Sequence, residues 1–227
     1  MTYDYKQFHR RKLPHLHSPG STLFLTYRLR DSVPRAVLEQ WKVEMRLVED
    51  ECARLKEKPD QAQHTRREFQ RRWFGRIERM LHEEKGPLWL KDPSIARIVA
   101  DSLHHLDGKS YDLHAYCVMA NHVHTLFTPV LNEQSLTEIR NPLLRFKSDE
   151  PTLSRIMQSL KGFTAREENK ILGRKGQFWE PESYDHEVRN AGEFRRIRSY
   201  ILNNPVKAGL VNDWKNWRWS WVEDEIE

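Results

Sequence analysis

The stretch AYCVMANHVHTLFTP, residues 115–129, decides how this chain folds and where its chemistry lies. It belongs to an apolar segment that predicts two strands, at about 112–119 and 122–128. His122 and His124 stand two positions apart in the second strand, where alternate side chains point to the same face. Two imidazoles are therefore expected side by side, which is the geometry of a metal site.

The composition is compatible with one domain that binds a polyanion. The chain has 227 residues, enough for one sizeable core, and we expect a single domain over residues 1–227 with a helical insertion at 35–85. Its 38 basic residues exceed its 33 acidic ones, and the resulting net charge of +5 suits a polyanion-binding surface. Cys52 and Cys117 are its two cysteines, which excludes a disulfide framework and a cysteine-rich zinc site.

The sequence has no features of a membrane or export segment. No apolar run approaches the roughly 20 residues of a membrane helix. The N-terminal stretch MTYDYKQFHRRKLPHLH lacks the apolar core of a signal peptide. We therefore expect a soluble cytoplasmic protein.

Apolar periodicity predicts the remaining elements. From Pro34 to about Leu81, apolar side chains recur every three or four positions with a break at Pro59, which predicts a helical hairpin. Its second arm is rich in arginine, and this pattern suits phosphate contacts as well as it suits simple exposure to solvent. The other predicted elements are a strand at 21–29, helices at 92–106 and 152 to about 170, a short strand near 183–189 and a helix from about Asn190 to Asn203.

This order of elements predicts an α+β protein. Without the hairpin insertion the order is β-α-β-β-α-β-α, which is the ferredoxin-like split βαβ arrangement with one added C-terminal helix. The sheet of that fold is antiparallel, and its two central strands place side chains on an open face where a substrate can lie. His122 and His124 are therefore expected in the middle of the molecule.

Two histidines need a third ligand to hold a metal well, and the C-terminal helix offers candidates. Tyr200 and Asn204 are four positions apart and so share one face of that helix. The phenol and the amide oxygen could both reach the imidazoles. A divalent cation on a phosphodiester stabilises the charge that develops when a phenolate attacks phosphorus, and the product is a covalent phosphotyrosine.

The motifs along the chain closely resemble those of one family. MANHVH at 119–124 and YILNNPVKAGLV at 200–211 are similar to the single-tyrosine HUH transposases, and specifically to the REP-associated tyrosine transposases. RRKLPH, FLTYRL, SLKGFTA and FWEPESYDHEVR are similar to the same group in the same order, so the resemblance covers nearly the whole chain. One departure is Ala120, where the family commonly has proline, and it alters a turn rather than a ligand.

The resemblance implies a function and a set of site residues. His122, His124 and Asn204 would bind Mg²⁺ or Mn²⁺, and Tyr200 would be the nucleophile. Members of this group cleave and rejoin single-stranded DNA at hairpins through a 5′-phosphotyrosine. They tend to be monomers, although a dimer that exchanges the tyrosine helix is left open. His186 matches a family histidine, and it is expected either to act in catalysis by orienting the scissile phosphate or to form a hydrogen bond within the fold.

Other candidate residues have two interpretations each. Tyr184 is a rival nucleophile, two positions from His186 on a predicted strand. Trp217, Trp219 and Trp221 alternate on an extended segment, which suits a base-stacking platform but suits a hydrophobic tail packed on the core better. The candidate phosphate contacts, each of which is also compatible with solvated surface charge, are Arg10, Arg11, Lys161, Arg166 and Lys207.

The sequence leaves two other functions open. One is a hairpin-binding protein that no longer cuts DNA, although such a protein has no physical need for the complete set of histidines, tyrosine and asparagine. The other is a metal-dependent phosphodiesterase that activates water, in which Tyr200 would be structural.

Overall fold

The computed structural model describes residues 20–55, 57–130 and 152–223. Short 3₁₀ turns lie at Trp89–Lys91 and Trp214–Asn216. Among the described helices, none combines the length and the apolar character that a membrane crossing requires. The helices and strands, labelled in chain order, are β1 (Leu23–Arg28), α1 (Arg35–Arg54), α2 (Pro59–His82), α3 (Pro93–Leu106), β2 (Tyr111–Val118), β3 (His122–Pro129), α4 (Thr152–Ile171), β4 (Tyr184–Glu187), α5 (Ala191–Leu202), α6 (Asn204–Lys207) and β5 (Ser220–Val222).

Within these ranges, five strands form one antiparallel sheet in the order β4-β1-β3-β2-β5. The first four strands have the order and directions of the ferredoxin-like fold, and β5 extends the sheet at the edge of β2. The predicted α+β, ferredoxin-like fold is therefore confirmed. The central pairing sets Thr26 of β1 and Cys117 of β2 on either side of His124.

Alternation along the strands gives the sheet two faces, and both are covered. One face packs against α3 and α4 through the main core, which includes Leu25 and Phe127. The opposite face carries the histidines and Phe24, and it lies under α5 and the C-terminal half of α2. The prediction of an open face is wrong, because Phe74 of α2 and Tyr200 of α5 pack edge-on against Phe24.

The helical hairpin predicted for the insertion is formed by α1 and α2. Met45, Phe69 and Trp73 are buried between its arms as a small core of their own. The hairpin begins and ends at one place, because Gly86 lies against Asp31. The φ of Gly86 is +92°, and a Cβ at this position would stand 2.7 Å from the Asp31 carbonyl oxygen. Glycine is therefore needed where the chain leaves the insertion.

Asn190 caps the helix that carries Tyr200. Its side chain accepts a hydrogen bond from the Glu193 amide at 2.9 Å, and the Glu193 carboxylate accepts one from the Arg189 amide at 2.8 Å. This reciprocal arrangement is close to a capping box, and it fixes where α5 starts over the sheet. The helix stops shortly before Pro205, which has no amide hydrogen to continue it.

Candidate metal centre and nucleophile

Strand β3 brings His122 and His124 into contact on the covered face of the sheet. Their ring centroids are 4.8 Å apart, and the two residues are 1% and 0% exposed. The hydroxyl of Thr26 on β1 lies 2.7 Å from Nδ1 of His124. A hydrogen on Nδ1, donated to Thr26, leaves Nε2 of His124 available as a ligand atom.

Asn121 fixes the ring of His122. Its amide nitrogen donates to the Leu81 carbonyl of α2 at 3.0 Å, so its amide oxygen faces His122. That oxygen lies 2.7 Å from Nδ1 of His122 and can only accept, so Nδ1 carries the hydrogen. Nε2 of His122 therefore presents a lone pair, and it is buried without a hydrogen-bond partner among the described residues.

The third side chain beside the histidines is Glu78, which comes from the inserted helix α2. One ligand atom from each of Glu78, His122 and His124 lies within 4.8 Å of the other two. Oε2 of Glu78 is 3.4 Å from Nε2 of His124, and Oε1 has no hydrogen-bond partner within the described part of the chain. Buried imidazole nitrogens and a carboxylate oxygen that converge in this way fit a divalent cation.

Tyr200 of α5 reaches the same carboxylate. Its hydroxyl donates a hydrogen bond to Oε2 of Glu78 at 2.5 Å. Its ring packs edge-on against Phe24 and His124. The ammonium of Lys207 lies 4.8 Å from the centroid of the Tyr200 ring, within the range of a cation–π contact. The structure thus places the predicted nucleophile beside the two histidines.

Burial and mutual contacts set the charges of this cluster. Burial would raise the pKa of Glu78, but the nearby imidazoles of His124 and His122 and the hydrogen bond from Tyr200 outweigh it and lower that pKa to about 2. Burial, assisted by His124, lowers the pKa of His122 to about 3. Burial and the adjacent charge of Glu78 raise the pKa of Tyr200 above its usual range. At neutral pH the cluster therefore holds a charged carboxylate, a neutral His122 and a protonated tyrosine.

Asn204 is buried close to Tyr200, and its side chain has partners other than the histidines. Its amide nitrogen donates to the Tyr200 carbonyl at 2.9 Å, and its oxygen is 3.2 Å from Nε2 of His82. His82 is held in turn by the Glu78 carbonyl, 2.8 Å from its Nδ1. Asn204 as a metal ligand stays a prediction, and its observed contacts tie the end of α5 to α2.

His186 forms a hydrogen bond within the fold. Its Nε2 is 3.0 Å from the carboxylate of Glu193, the same group that caps α5. A catalytic role for His186 stays a prediction, whereas this contact supports the alternative that it braces the start of the tyrosine helix. The rival nucleophile Tyr184 stacks on Phe74 with 4.2 Å between ring centroids, and burial raises the pKa of Tyr184 to about 12.

The candidate phosphate contacts have different surroundings. The ammonium of Lys161 donates to two backbone carbonyls of the loop before β4, at 2.9 and 3.1 Å, and so holds that loop. Arg166 and Lys207 are exposed, and Lys207 is the one beside the nucleophile. Arg10 and Arg11 lie outside the described residues.

Two of the six arginines of α2 contact acidic residues of α1. Arg66 makes a two-pronged contact with Glu49 at 3.0 and 2.9 Å, and Arg72 lies 3.5 Å from Glu44. Arg67 on the same helix is exposed. The arginine-rich arm therefore braces the hairpin, and part of its charge faces solvent.

The C-terminal tryptophans pack on the body of the protein. Trp219 and Trp221 adjoin the main core. Trp217 adjoins the apolar cluster on the histidine face, where its indole donates to the Val118 carbonyl at 3.1 Å. These contacts support the interpretation as a hydrophobic tail over that of a base-stacking platform.

A cavity lies beside His122. Its volume is about 220 Å³, and its lining includes His82, Asn121 and His122 together with Ala208 and Leu210 after α6. The face of the sheet that carries the histidines is therefore covered, but the packing leaves a space next to His122.

Comparison with known proteins agrees with the motifs. The chain is 28% identical over 118 residues to a REP-associated tyrosine transposase of Escherichia coli (strain K12). The family resemblance is thereby confirmed. The match covers 52% of this chain and 58% of that relative, so it spans less than two thirds of the relative's length. No protein-family model matches the chain. A solved structure of the REP-associated tyrosine transposase bound to a REP hairpin aligns with a TM-score of 0.49 at 15% identity, over 95% of this chain and 93% of that one.

Sequence reasoning missed Glu78 and Asn121. Glu78 lies one helical turn from Phe74 and from Leu81, so a charged residue stands on the apolar face of α2. That position was the available signal, because a carboxylate on a buried face requires a partner. Asn121 had a weaker signal, since an amide just before a strand is equally typical of a turn.

Proposed function

We propose that this protein is a DNA strand transferase of the REP-associated tyrosine transposase type, which cleaves and rejoins single-stranded DNA at hairpins. The observation that carries the proposal is the contact of the Tyr200 hydroxyl with Glu78, directly beside His122 and His124. Buried polar groups of this kind cost stability relative to apolar side chains, so their convergence favours a catalytic use. The 28% sequence identity to a tyrosine transposase over 118 residues supports DNA as the substrate.

In this proposal Tyr200 attacks the scissile phosphorus through its hydroxyl oxygen. The tyrosyl O–P bond forms while the P–O3′ bond breaks, so one DNA fragment stays on the protein by its 5′-phosphate and the other leaves with a 3′-hydroxyl. The Tyr200 proton leaves along its hydrogen bond to Glu78 and is passed on to solvent, and the leaving 3′-oxygen takes up a proton from solvent, so no proton is gained or lost overall. Attack by a free 3′-hydroxyl reverses these steps and joins DNA without a nucleotide cofactor.

The two histidines would hold a Mg²⁺ or Mn²⁺ ion. Nε2 of His122 and Nε2 of His124 suit this role because each is buried without a hydrogen-bond partner among the described residues. When bound, the cation supplies charge stabilisation at the non-bridging oxygens of the phosphate. The cavity beside His122 is the path by which we propose that the phosphate enters.

DNA binding would draw on basic side chains. Lys207 is placed best because it lies beside Tyr200, and Lys161, Arg166, Arg10 and Arg11 stay predicted contacts. We propose a monomer in which Tyr200 acts beside the histidines of its own chain. A protein with chromosomal hairpins as substrates works in the cytoplasm, at the nucleoid.

The test is a search for the covalent intermediate. The purified protein is incubated with labelled single-stranded hairpin DNA from the flanks of its own gene, with Mn²⁺ or with EDTA, and run on a denaturing gel. We expect a metal-dependent protein–DNA adduct that is lost in Tyr200→Phe and kept in Tyr184→Phe. Tyr184 is the matched control because it belongs to the same aromatic cluster. Tyr200→Phe should still bind the hairpin.

Each alternative function gives a different result. A persistent adduct in Tyr200→Phe would overturn the assignment of the nucleophile. Metal-dependent cutting without any adduct would indicate a water-activating phosphodiesterase. Tight hairpin binding without cutting, across all flanking sequences, would indicate a binding protein that does not cleave.

A further inference from the structure

The third ligand of the metal site has two candidates, and they come from different parts of the chain. Asn204 lies beside the catalytic helix, and Glu78 lies in the inserted hairpin. Both atoms of the Asn204 amide have partners, since the nitrogen donates to the Tyr200 carbonyl and the oxygen lies 3.2 Å from His82. Turning the Asn204 oxygen toward a metal would break its contact with His82.

Glu78 is better placed for this role. Its Oε1 atom is buried without a hydrogen-bond partner in the described ranges, while its Oε2 atom already meets Tyr200 and Nε2 of His124. A carboxylate is the oxygen ligand that Mg²⁺ and Mn²⁺ prefer, and its negative charge offsets part of the charge of a divalent ion. A neutral amide provides no such offset.

We propose that Glu78 completes the metal site, so that the α1–α2 hairpin supplies one ligand of the active centre. The inference rests on the proposed use of a metal by this protein. It assigns the ligand set to His122, His124 and Glu78, and it gives Asn204 the separate task of holding His82 and the end of α5 in place.

The packing of α2 explains how an insertion can position a ligand. Phe74, one turn before Glu78, stacks on Tyr184 at 4.2 Å, and Leu81, one turn after it, is 1% exposed. The Leu81 carbonyl accepts the hydrogen bond from Asn121 at 3.0 Å. The same amide therefore orients His122 and anchors the helix of Glu78, which couples cation binding to the seating of α2 on the sheet.

Metal binding can be measured on the full-length protein without DNA. We would titrate Mn²⁺ and follow the electron paramagnetic resonance signal of the free ion, for the wild type, Glu78→Gln and Asn204→Ala. Glu68→Gln is the matched control, because Glu68 is an exposed acid on the same helix. Glu78→Gln should weaken Mn²⁺ binding by at least about tenfold, by analogy with the loss of residues that support a metal site. Glu68→Gln and Asn204→Ala should bind nearly as the wild type does.

Hydrogen exchange tests the proposal on the wild-type protein alone, so the result does not depend on whether a variant folds. Mn²⁺ should slow the exchange of backbone amides at 74–82 in the wild type, because the cation would pull Glu78 and its helix onto the sheet. Exchange in α3, which packs on the opposite face of the sheet, serves as the internal reference. An unchanged exchange rate at 74–82 in the presence of bound Mn²⁺ would contradict the coupling of the hairpin to the metal.

The results separate this inference from the proposed function. Full Mn²⁺ affinity in Glu78→Gln, with loss in Asn204→Ala, would overturn the inference and place the ligand next to the catalytic helix. Glu78-dependent Mn²⁺ binding without a DNA adduct would support the inference and overturn the proposed function. A wild type that binds no Mn²⁺ would overturn the ligand assignment, and the adduct assay would then report on the function alone.

Discussion

Replacement of Asn121 by alanine should weaken metal binding and stability together, because this one amide connects His122 to α2. The variant loses a contact of 2.7 Å to His122 and one of 3.0 Å to the Leu81 carbonyl, at a residue that is 1% exposed. Loss of about 1 kcal/mol for each bond, with a further ~1–3 kcal/mol for a buried group left unpaired, lowers the free energy of unfolding by about 3–5 kcal/mol. The freed His122 ring should reduce Mn²⁺ affinity by about 10–100-fold.

Asn121→Asp provides the control for this prediction. It keeps an oxygen that accepts from Nδ1 of His122, but it cannot donate to the Leu81 carbonyl. We expect this variant to lose stability and to keep more of its Mn²⁺ affinity than Asn121→Ala does, because only the contact with Leu81 is lost. Urea unfolding followed by tryptophan fluorescence measures the first quantity, and titration of Mn²⁺ measures the second. If Asn121→Ala binds Mn²⁺ as tightly as the wild type, the orientation of His122 does not depend on this amide and the reasoning fails.

Two further predictions concern stability away from the site. Glu168 is buried, neither of its carboxylate oxygens has a hydrogen-bond partner among the described residues, and burial raises its pKa from 4.5 to about 9. The folded state therefore keeps a proton that the unfolded state loses, and the free energy of unfolding of the wild type falls as pH rises from about 5 to 9. Glu168→Gln lacks this ionisable group, so it should be more stable than the wild type by about 3 kcal/mol at pH 7. Urea unfolding of both proteins across this pH range measures the difference in their free energy of unfolding. A Glu168→Gln variant that is still more stable than the wild type at pH 5 would argue against protonation of Glu168 as the cause. On α2, Arg66→Ala should lower the free energy of unfolding by about 0.5–1 kcal/mol after allowance for solvent screening, whereas Arg67→Ala should cost less than about 0.5 kcal/mol. Equal losses in the two variants, measured by urea unfolding, would refute the bracing role of the Arg66 contact with Glu49.

The fold could be predicted because its elements are encoded locally. The strands predicted at 112–119 and 122–128 correspond to β2 and β3, and the remaining predicted elements also form with ends within two residues of those expected. Alternation along β3 then placed His122 and His124 on one face without any knowledge of the rest of the molecule. Their contact at 4.8 Å follows directly from that spacing.

The composition of the site depends on packing between distant segments, which spacing alone does not determine. Tyr200 and Asn204 do lie together on one side of their helix, as the hydrogen bond between them shows. The direction of the Asn204 oxygen, however, is set by His82, and His82 reaches it only because α2 covers the sheet. The same packing brings Glu78 to the histidines, so no motif near the histidines predicts that Glu78 belongs to the site.

The narrow base of the hairpin has a consequence for how such a protein can change. Because Gly86 lies against Asp31, the chain enters and leaves α1 and α2 through a gap that a short loop could close. A segment attached in this way can be inserted, deleted or exchanged without any change in the order of the strands. Tyr200 would stay behind in a shortened chain, but Glu78 would leave. The helix that covers Tyr200 and the carboxylate of Glu78 would therefore be gained or lost together.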